Sequence, residues 1–275
     1  MVHQRPKQRS RYRVKIGKLF YTLLRYYYWY FGGKQFARER TDKEYLFCVF
    51  EHKTPLLRKL NNLDMWMQHN KVTNLRIAAK KLNGIVIRPG ETFSYWRLIG
   101  KPLKSKGYMP GLVLNNGKLT AGIGGGLCQL SNLIYWMTLH TPLTVTERYR
   151  HSYDVFPDSE RTQPFGSGAT CVYNYRDLQI MNNTDMTFQL KIYLTDSHLV
   201  GEWKSDRAQA EWYEVYEKNH CIKPFFAGGY IRCNELYRNK YNQLCELIGD
   251  EFITGNEALM LYQPYLSEKC SSERA

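Results

Sequence analysis

After Cys128 the apolar residues Leu130, Leu133, Ile134 and Met137 fall at i, i+3, i+4 and i+7, and Pro142 closes the run. That is the spacing of one helix face, and it predicts the clearest amphipathic helix in the chain. A second helix is predicted over residues 71–82, where Val72, Leu75, Ile77, Ala78 and Leu82 keep near-helical spacing and Asn83-Gly84 ends the pattern. Between the two, "GIVIRPGETFSYW" reads as a short strand, a Pro89-Gly90 turn and a second extended piece. Leu112 to Leu114, followed by "NNGKLT", reads as a hairpin in which Asn116-Gly117 supplies positive φ.

Beyond Pro142 the period shortens toward two. "LTVTERY" alternates, "ATCVYNY" and "LQIM" read as strands flanking a turn, and "FQLKIYL" to "LVGEW" reads as a hairpin through Asp196-Ser197. Residues 211–266 read as mostly strand, with polar turns at Asn239-Lys240 and Gly249-Asp250. Helices early and strands late predict an α+β fold, mostly antiparallel sheet, with Cys128 at the N-terminus of a central helix. Three units are expected: a basic and aromatic N-terminal segment (1–40), a core domain (41–205) and a β-rich extension packed on the core (206–275).

The hydrophobic share of 43% suits a folded chain. The net charge of +14 points to an anionic partner, and most of the excess sits in residues 1–40, where Glu39 is the only acid. "LFYTLLRYYYWYF" follows the basic arm, too short to span a bilayer and interrupted by Arg25, and no cleavage pattern marks it as a signal peptide. Two readings stand: peripheral contact with an anionic membrane, or an ordinary helix packed on the domain with a solvated tail. Nucleic acid is set aside, because no recognised RNA or DNA module accompanies the charge. The seven cysteines are scattered, odd in number and without a C-x-x-C pair, which argues against a disulfide framework and a structural zinc site. A cytoplasmic or inner-face location is the resulting expectation, with no cofactor and no metal.

The chemistry concentrates in "TAGIGGGLCQLSNLIYW". A cysteine in the first turn of a helix sits among unpaired N–H groups and the positive end of the dipole, which favours thiolate. Gly124, Gly125 and Gly126 would let bare backbone approach a substrate carbonyl and offer N–H groups to an oxyanion; anion binding by a glycine-rich helix start is the alternative. From Cys128 to His140 the helix runs about 18 Å, and a following strand from Leu143 to Arg150 runs roughly 23 Å back. An antiparallel return therefore brings His151 to the level of Cys128 as a candidate base, with Ser152 or Asp154 to orient it. His140, at the far end, reads as a favourable C-terminal charge, and a metal site joining Cys128, His140 and His151 would be split by the helix. Gln129, Ser131, Asn132 and Arg148 are the candidate substrate-binding side chains. The bland alternative is a small buried cysteine in a packed helix.

"PGETFSYWRLIG", "NGKLTAGIGGGLCQLSNLIYWMTLHTPLTVTERYRHSYDVFP" and "DLQIMNNTD" resemble the VanW family, along most of residues 75–203. The resemblance implies a link to glycopeptide resistance and peptidoglycan metabolism. Larger, exported relatives look like cysteine-dependent L,D-transpeptidases, so by analogy Cys128 would form the acyl-enzyme and His151 would be the general base acting on a stem peptide or lipid-linked precursor. Many relatives carry Arg-Asp-Ala-Thr after the histidine segment; this chain reads "GSGAT", with Gly168 at the acidic position. A non-catalytic accessory protein that binds wall precursors or a resistance enzyme is the rival from another class.

Overall fold

The computed structural model describes residues 10–57, 64–115, 118–150, 153–154, 163–225 and 228–263. Helix α1 (Arg11–Phe31) starts at Ser10, whose side chain accepts the Arg13 N–H, and is followed by β1 (Phe47–Pro55). Helix α2 (Met65–Leu82) begins ahead of its apolar periodicity, because its buried apolar residues, Leu75, Ala78, Ala79 and Leu82, all lie in its second half. β2 (Ile85–Ile87) and β3 (Thr92–Ser94) flank the Pro89-Gly90 turn, with Gly90 at φ +80°, but join different sheets. The short α3 (Tyr95–Ile99) leads to the hairpin of β4 (Pro110–Asn115) and β5 (Lys118–Ile123), whose tip lies outside the described residues. Then come α4 (Cys128–Leu139), β6 (Thr144–Glu147), β7 (Tyr153–Asp154), β8 (Gln179–Met181) and the hairpin of β9 (Phe188–Leu194) and β10 (His198–Ser205). Three long strands finish the fold: β11 (Trp212–Pro224), β12 (Tyr230–Tyr241) and β13 (Leu247–Met260).

The core is built on the antiparallel sheet β1-β10-β9-β2, with α2 against β9 and α4 against β1 and β10. Phe188, Leu190 and Ile192 of β9 and Leu199 and Trp203 of β10 supply its buried surface. α4 approaches closely over Gly201, where a Cβ would fall 2.6 Å from the Met137 methyl, and Trp203 Nε1 donates to Thr138 Oγ1 at 3.2 Å. The helix is therefore not amphipathic in its setting: Leu133 through Leu139 are all buried. Each large apolar side chain buried there contributes about 1.5–3 kcal/mol, so α4 is anchored by packing along Leu133–Leu139, while Asn132 in its first turns stays exposed. β3-β8-β6 form a second antiparallel sheet, and β11-β12-β13-β7 a third in which β7 runs parallel to β13.

The fold is α+β as predicted, with local differences. Asn239-Lys240 and Gly249-Asp250 lie inside β12 and β13, where they pair with each other across the sheet. Polar residues there reflect an exposed sheet face; the turn lies at residues 242–246, where the Asn242 carboxamide oxygen accepts the Leu244 and Glu246 N–H groups and Cys245 takes φ +61°. "ATCVYNY" is irregular rather than a strand, its backbone bonds being taken by Asn132 Oδ1, the Tyr149 carbonyl and a tight Val172–Arg176 turn. His140 does not carry a charge for the helix end. It stacks on Phe50 at 4.0 Å, its Nδ1 lies 2.9 Å from the Tyr213 carbonyl, and burial pushes the imidazole pKa down. Arg238 Nη1 instead caps α4, donating to the carbonyls of Leu139 and Thr141 at 3.3 and 2.9 Å. Among the described residues no helix is long and apolar enough to cross a membrane.

Candidate active site at the start of helix α4

The glycines before Cys128 are required by the backbone. Gly124 and Gly126 hold φ +75° and +88°, conformations in which a Cβ is strained. Gly125 lies against Gly111 of β4, so that a Cβ on either would enter the other's backbone. Asn74, fully buried on α2, locks this approach: its Nδ2 donates to the Gly125 carbonyl at 2.9 Å and the Met109 carbonyl at 3.0 Å, and its Oδ1 accepts the Met109 N–H at 2.8 Å. The N–H groups of Gly124, Gly125 and Gly126 donate to the carbonyls of Met109, Gly122 and Leu112. The expectation that these three amides face a substrate oxyanion is thereby corrected: they are consumed in fastening the loop. The Leu127 N–H meets no acceptor among the described residues, and the Cys128 N–H has only its own sulfur.

Cys128 is the first residue of α4 and is partly buried. Its Sγ points to the Cys171 carbonyl at 3.9 Å. Burial raises the thiol pKa; the hydrogen bonds from the Cys171 and Cys128 backbone only partly offset it. Cys128 is therefore less acidic than an ordinary thiol, because desolvation outweighs the hydrogen bonds at the start of the helix. Cys171 is buried more deeply, and its thiol is pushed further up by the same cause. His151 and Ser152, the predicted base and its partner, lie outside the described residues. The chain on either side of them is fixed: the Tyr149 carbonyl accepts the Thr170 N–H at 2.7 Å, and Tyr153 and Asp154 pair with Leu259 and Met260.

The four predicted substrate-binding side chains brace the site instead of lining it. Ser131 is fully buried, its hydroxyl 2.7 Å from the Ala169 carbonyl and 3.1 Å from that of Cys128. Asn132 Oδ1 accepts the Ala169 N–H at 2.8 Å. Arg148 lies over the Tyr135 ring and donates to the carbonyls of Gly168 and Gly166. Gln129 Nε2 donates to Thr54 Oγ1 and the Pro55 carbonyl, both at 2.9 Å, tying the helix start to β1. Ser131, Asn132 and Arg148 together strap residues 166–171 across the first turns of α4.

The sequence profile described as "VanW like protein" matches residues 70–204. Vancomycin B-type resistance protein VanW of Enterococcus faecalis (strain ATCC 700802 / V583) is 40% identical over 185 residues, which cover 67% of this chain and 67% of that protein. The chain belongs to the VanW family. Uncharacterized protein YoaR of Bacillus subtilis (strain 168) is 30% identical over 109 residues, 40% of this chain and 34% of that one. No solved structure matches the chain.

The VanW-matching region holds the glycine loop, Cys128 and the strap; α1 and the long strands β11 to β13 fall outside it. It also holds a support that sequence reasoning passes over. Tyr95 donates its hydroxyl to the Leu127 carbonyl at 2.8 Å, directly before Cys128. Asp177, fully buried, holds the α3 end of that contact: Oδ2 accepts Ser94 Oγ–H at 2.5 Å and Oδ1 accepts the N–H groups of Trp96 and Leu178. Arg25 of α1 pairs through both nitrogens with Glu147, whose Oε1 also accepts the Asp177 N–H at 3.1 Å. The only signal for this set is the "FSYW" and "DLQ" wording of the family motifs, which names the residues but not their contact.

Proposed function

We propose that the chain serves glycopeptide resistance as a cysteine-dependent acyl transferase on the stem peptides of cell-wall material. The observation that supports this reading is the placement of Cys128. It is a partly buried residue at the first position of α4, next to the Leu127 N–H, which lacks an acceptor among the described residues, and its own N–H. In the reaction Sγ attacks a stem-peptide carbonyl carbon, the two amides receive the developing negative oxygen, and the departing amine takes the proton, leaving a thioester. An acceptor amine then attacks the thioester, forms the new amide and returns the proton to sulfur. Because burial holds the resting thiol protonated, a base must accept the proton at the moment of attack, and His151 is the residue assigned to it.

A second reading is a non-catalytic accessory protein that binds wall precursors or a resistance enzyme. It is favoured by the glycine amides being used internally and by the thiol resting on the Cys171 carbonyl. Intact-mass measurement after incubation with stem peptides or lipid-linked precursors separates the two. Acyl transfer predicts an adduct on the wild type, none on Cys128→Ala, and formation slowed about 10²–10⁴-fold in His151→Ala. Binding of the same precursors with no adduct, and with affinity unchanged in Cys128→Ala, would establish the accessory role instead.

A further inference from the structure

α1 carries two opposed faces. At 100° per residue Arg25, Tyr26 and Trp29 lie within about 100° of one another, and these meet the domain: Trp29 is 5% exposed, Arg25 is bound by Glu147, and the Tyr26 hydroxyl lies 2.7 Å from that of Tyr173. Arg97 completes the dock, donating to the Trp29 carbonyl at 2.6 Å and stacking on Tyr30. Ile16, Leu23 and Tyr27 fall on the opposite side, flanked by Leu19 and Phe20, and each is more than half exposed. The apolar stripe of α1 thus points away from the core, against the ordinary rule for a helix packed on a domain.

The charge beside the stripe identifies its occupant. Residues 1–31 carry eight basic residues and no acid, and Arg25 is the one whose charge Glu147 neutralises. Arg13 and Lys15 are exposed and lie about 70–90° from the middle of the stripe, one on each side, while Lys18 falls on the side of Arg25 and Trp29. A second copy of the chain seated on the stripe would bring two such segments together with nothing to neutralise them. An anionic lipid surface answers both features at once, taking the apolar stripe between its headgroups and the lysines and arginines at the phosphate level. We infer that α1 is an interfacial helix that seats the domain on an anionic phospholipid membrane, lying in the plane of the surface through its Ile16–Leu19–Phe20–Leu23–Tyr27 stripe. Its inner end is fixed to Glu147 and, through it, to Asp177, so the membrane-bound helix is tied to the elements that hold Leu127 and Cys128. The inference is independent of whether Cys128 is catalytic.

Co-sedimentation of the full chain with phosphatidylcholine vesicles, with and without phosphatidylglycerol, tests it. Binding is expected only with phosphatidylglycerol and is expected to fall away in high salt. Leu19→Ser/Leu23→Ser should lower partitioning at low salt by at least about tenfold with unchanged thermal melting, both side chains being exposed, and Arg13→Glu/Lys15→Glu should do the same by reversing the flanking charge. No sedimentation of the wild type at low salt, or equal sedimentation of wild type and Leu19→Ser/Leu23→Ser, would overturn the inference. So would a dimer in solution that the serine variant dissociates, since a second copy would then be what covers the stripe.

Discussion

Replacing Asp177 by asparagine is expected to make the protein more stable at neutral pH. The Asp177 carboxyl has no solvent contact, and burial lifts its pKa to about 6. The hydrogen bonds from Ser94 and the Trp96 N–H, and the charge of Arg25, offset part of that, while Glu147 adds to it. In the unfolded chain the same group titrates near 3.9. Between those values the native state keeps a proton that the unfolded state has lost, so stability falls as pH rises through the window and levels off above it. At 1.36 kcal/mol per pH unit the penalty is about 3 kcal/mol at pH 7.5 and about 1 kcal/mol at pH 4.5. Asparagine keeps an oxygen for the Trp96 and Leu178 N–H groups and turns its amide to Ser94 Oγ, which can accept as well as donate. Urea unfolding of wild type and Asp177→Asn at both pH values should show the variant's advantage widening by about 2 kcal/mol from the lower to the higher. Titrating groups without an interaction with Asp177 cancel in that difference. An advantage independent of pH, or a variant less stable than wild type at pH 7.5, would mean that the hydrogen bonds outweigh desolvation and that the carboxylate stabilises the α3 junction.

The thiols give a second check: at pH 7 iodoacetamide should modify exposed Cys245 before Cys128, and Cys128 should react appreciably only above the usual thiol range near about 8.5. Peptide mass spectrometry reads this directly, and first modification of Cys128 at neutral pH would contradict the burial argument. Asn74→Ala should cost about 2–4 kcal/mol in urea unfolding, because it strands the part-buried Met109 N–H and the buried Gly125 carbonyl; a near-wild-type midpoint would show that the loop is held by other contacts.

Periodicity located α2, α4 and the β9–β10 hairpin because these elements bury a continuous apolar face, and that is the feature periodicity reports. It misplaced the turns of the C-terminal sheet, where one face of β12 and β13 is open to water and polar residues such as Asn239 and Asp250 sit within strands. Cys128 was legible at the start of α4, since four glycines and a helical run mark the boundary from both sides. Its acidity was not. A dipole can be read from a sequence, whereas the desolvation that opposes it depends on Cys171 and its neighbours, far along the chain. Ser131, Asn132 and Arg148 looked like ligand contacts because polar residues near a nucleophile suggest a substrate. Their partners are the backbone of residues 166–169, irregular chain with no periodicity to reveal that it needs support.

That strap also bears on the acid implied by family resemblance after the histidine segment. Gly168 stands at its position here, and a Cβ there would fall 2.8 Å from Asn132 Oδ1, the atom that accepts the Ala169 N–H. The Gly168 carbonyl meanwhile accepts from Arg148 Nε. A side chain at 168 would have to displace the Asn132 carboxamide, freeing the Ala169 amide and loosening the strand of chain whose Cys171 carbonyl holds the Cys128 sulfur. In this chain the glycine, the carboxamide and the guanidinium form one bracing unit, and a side chain at 168 would require the Asn132 carboxamide to give way.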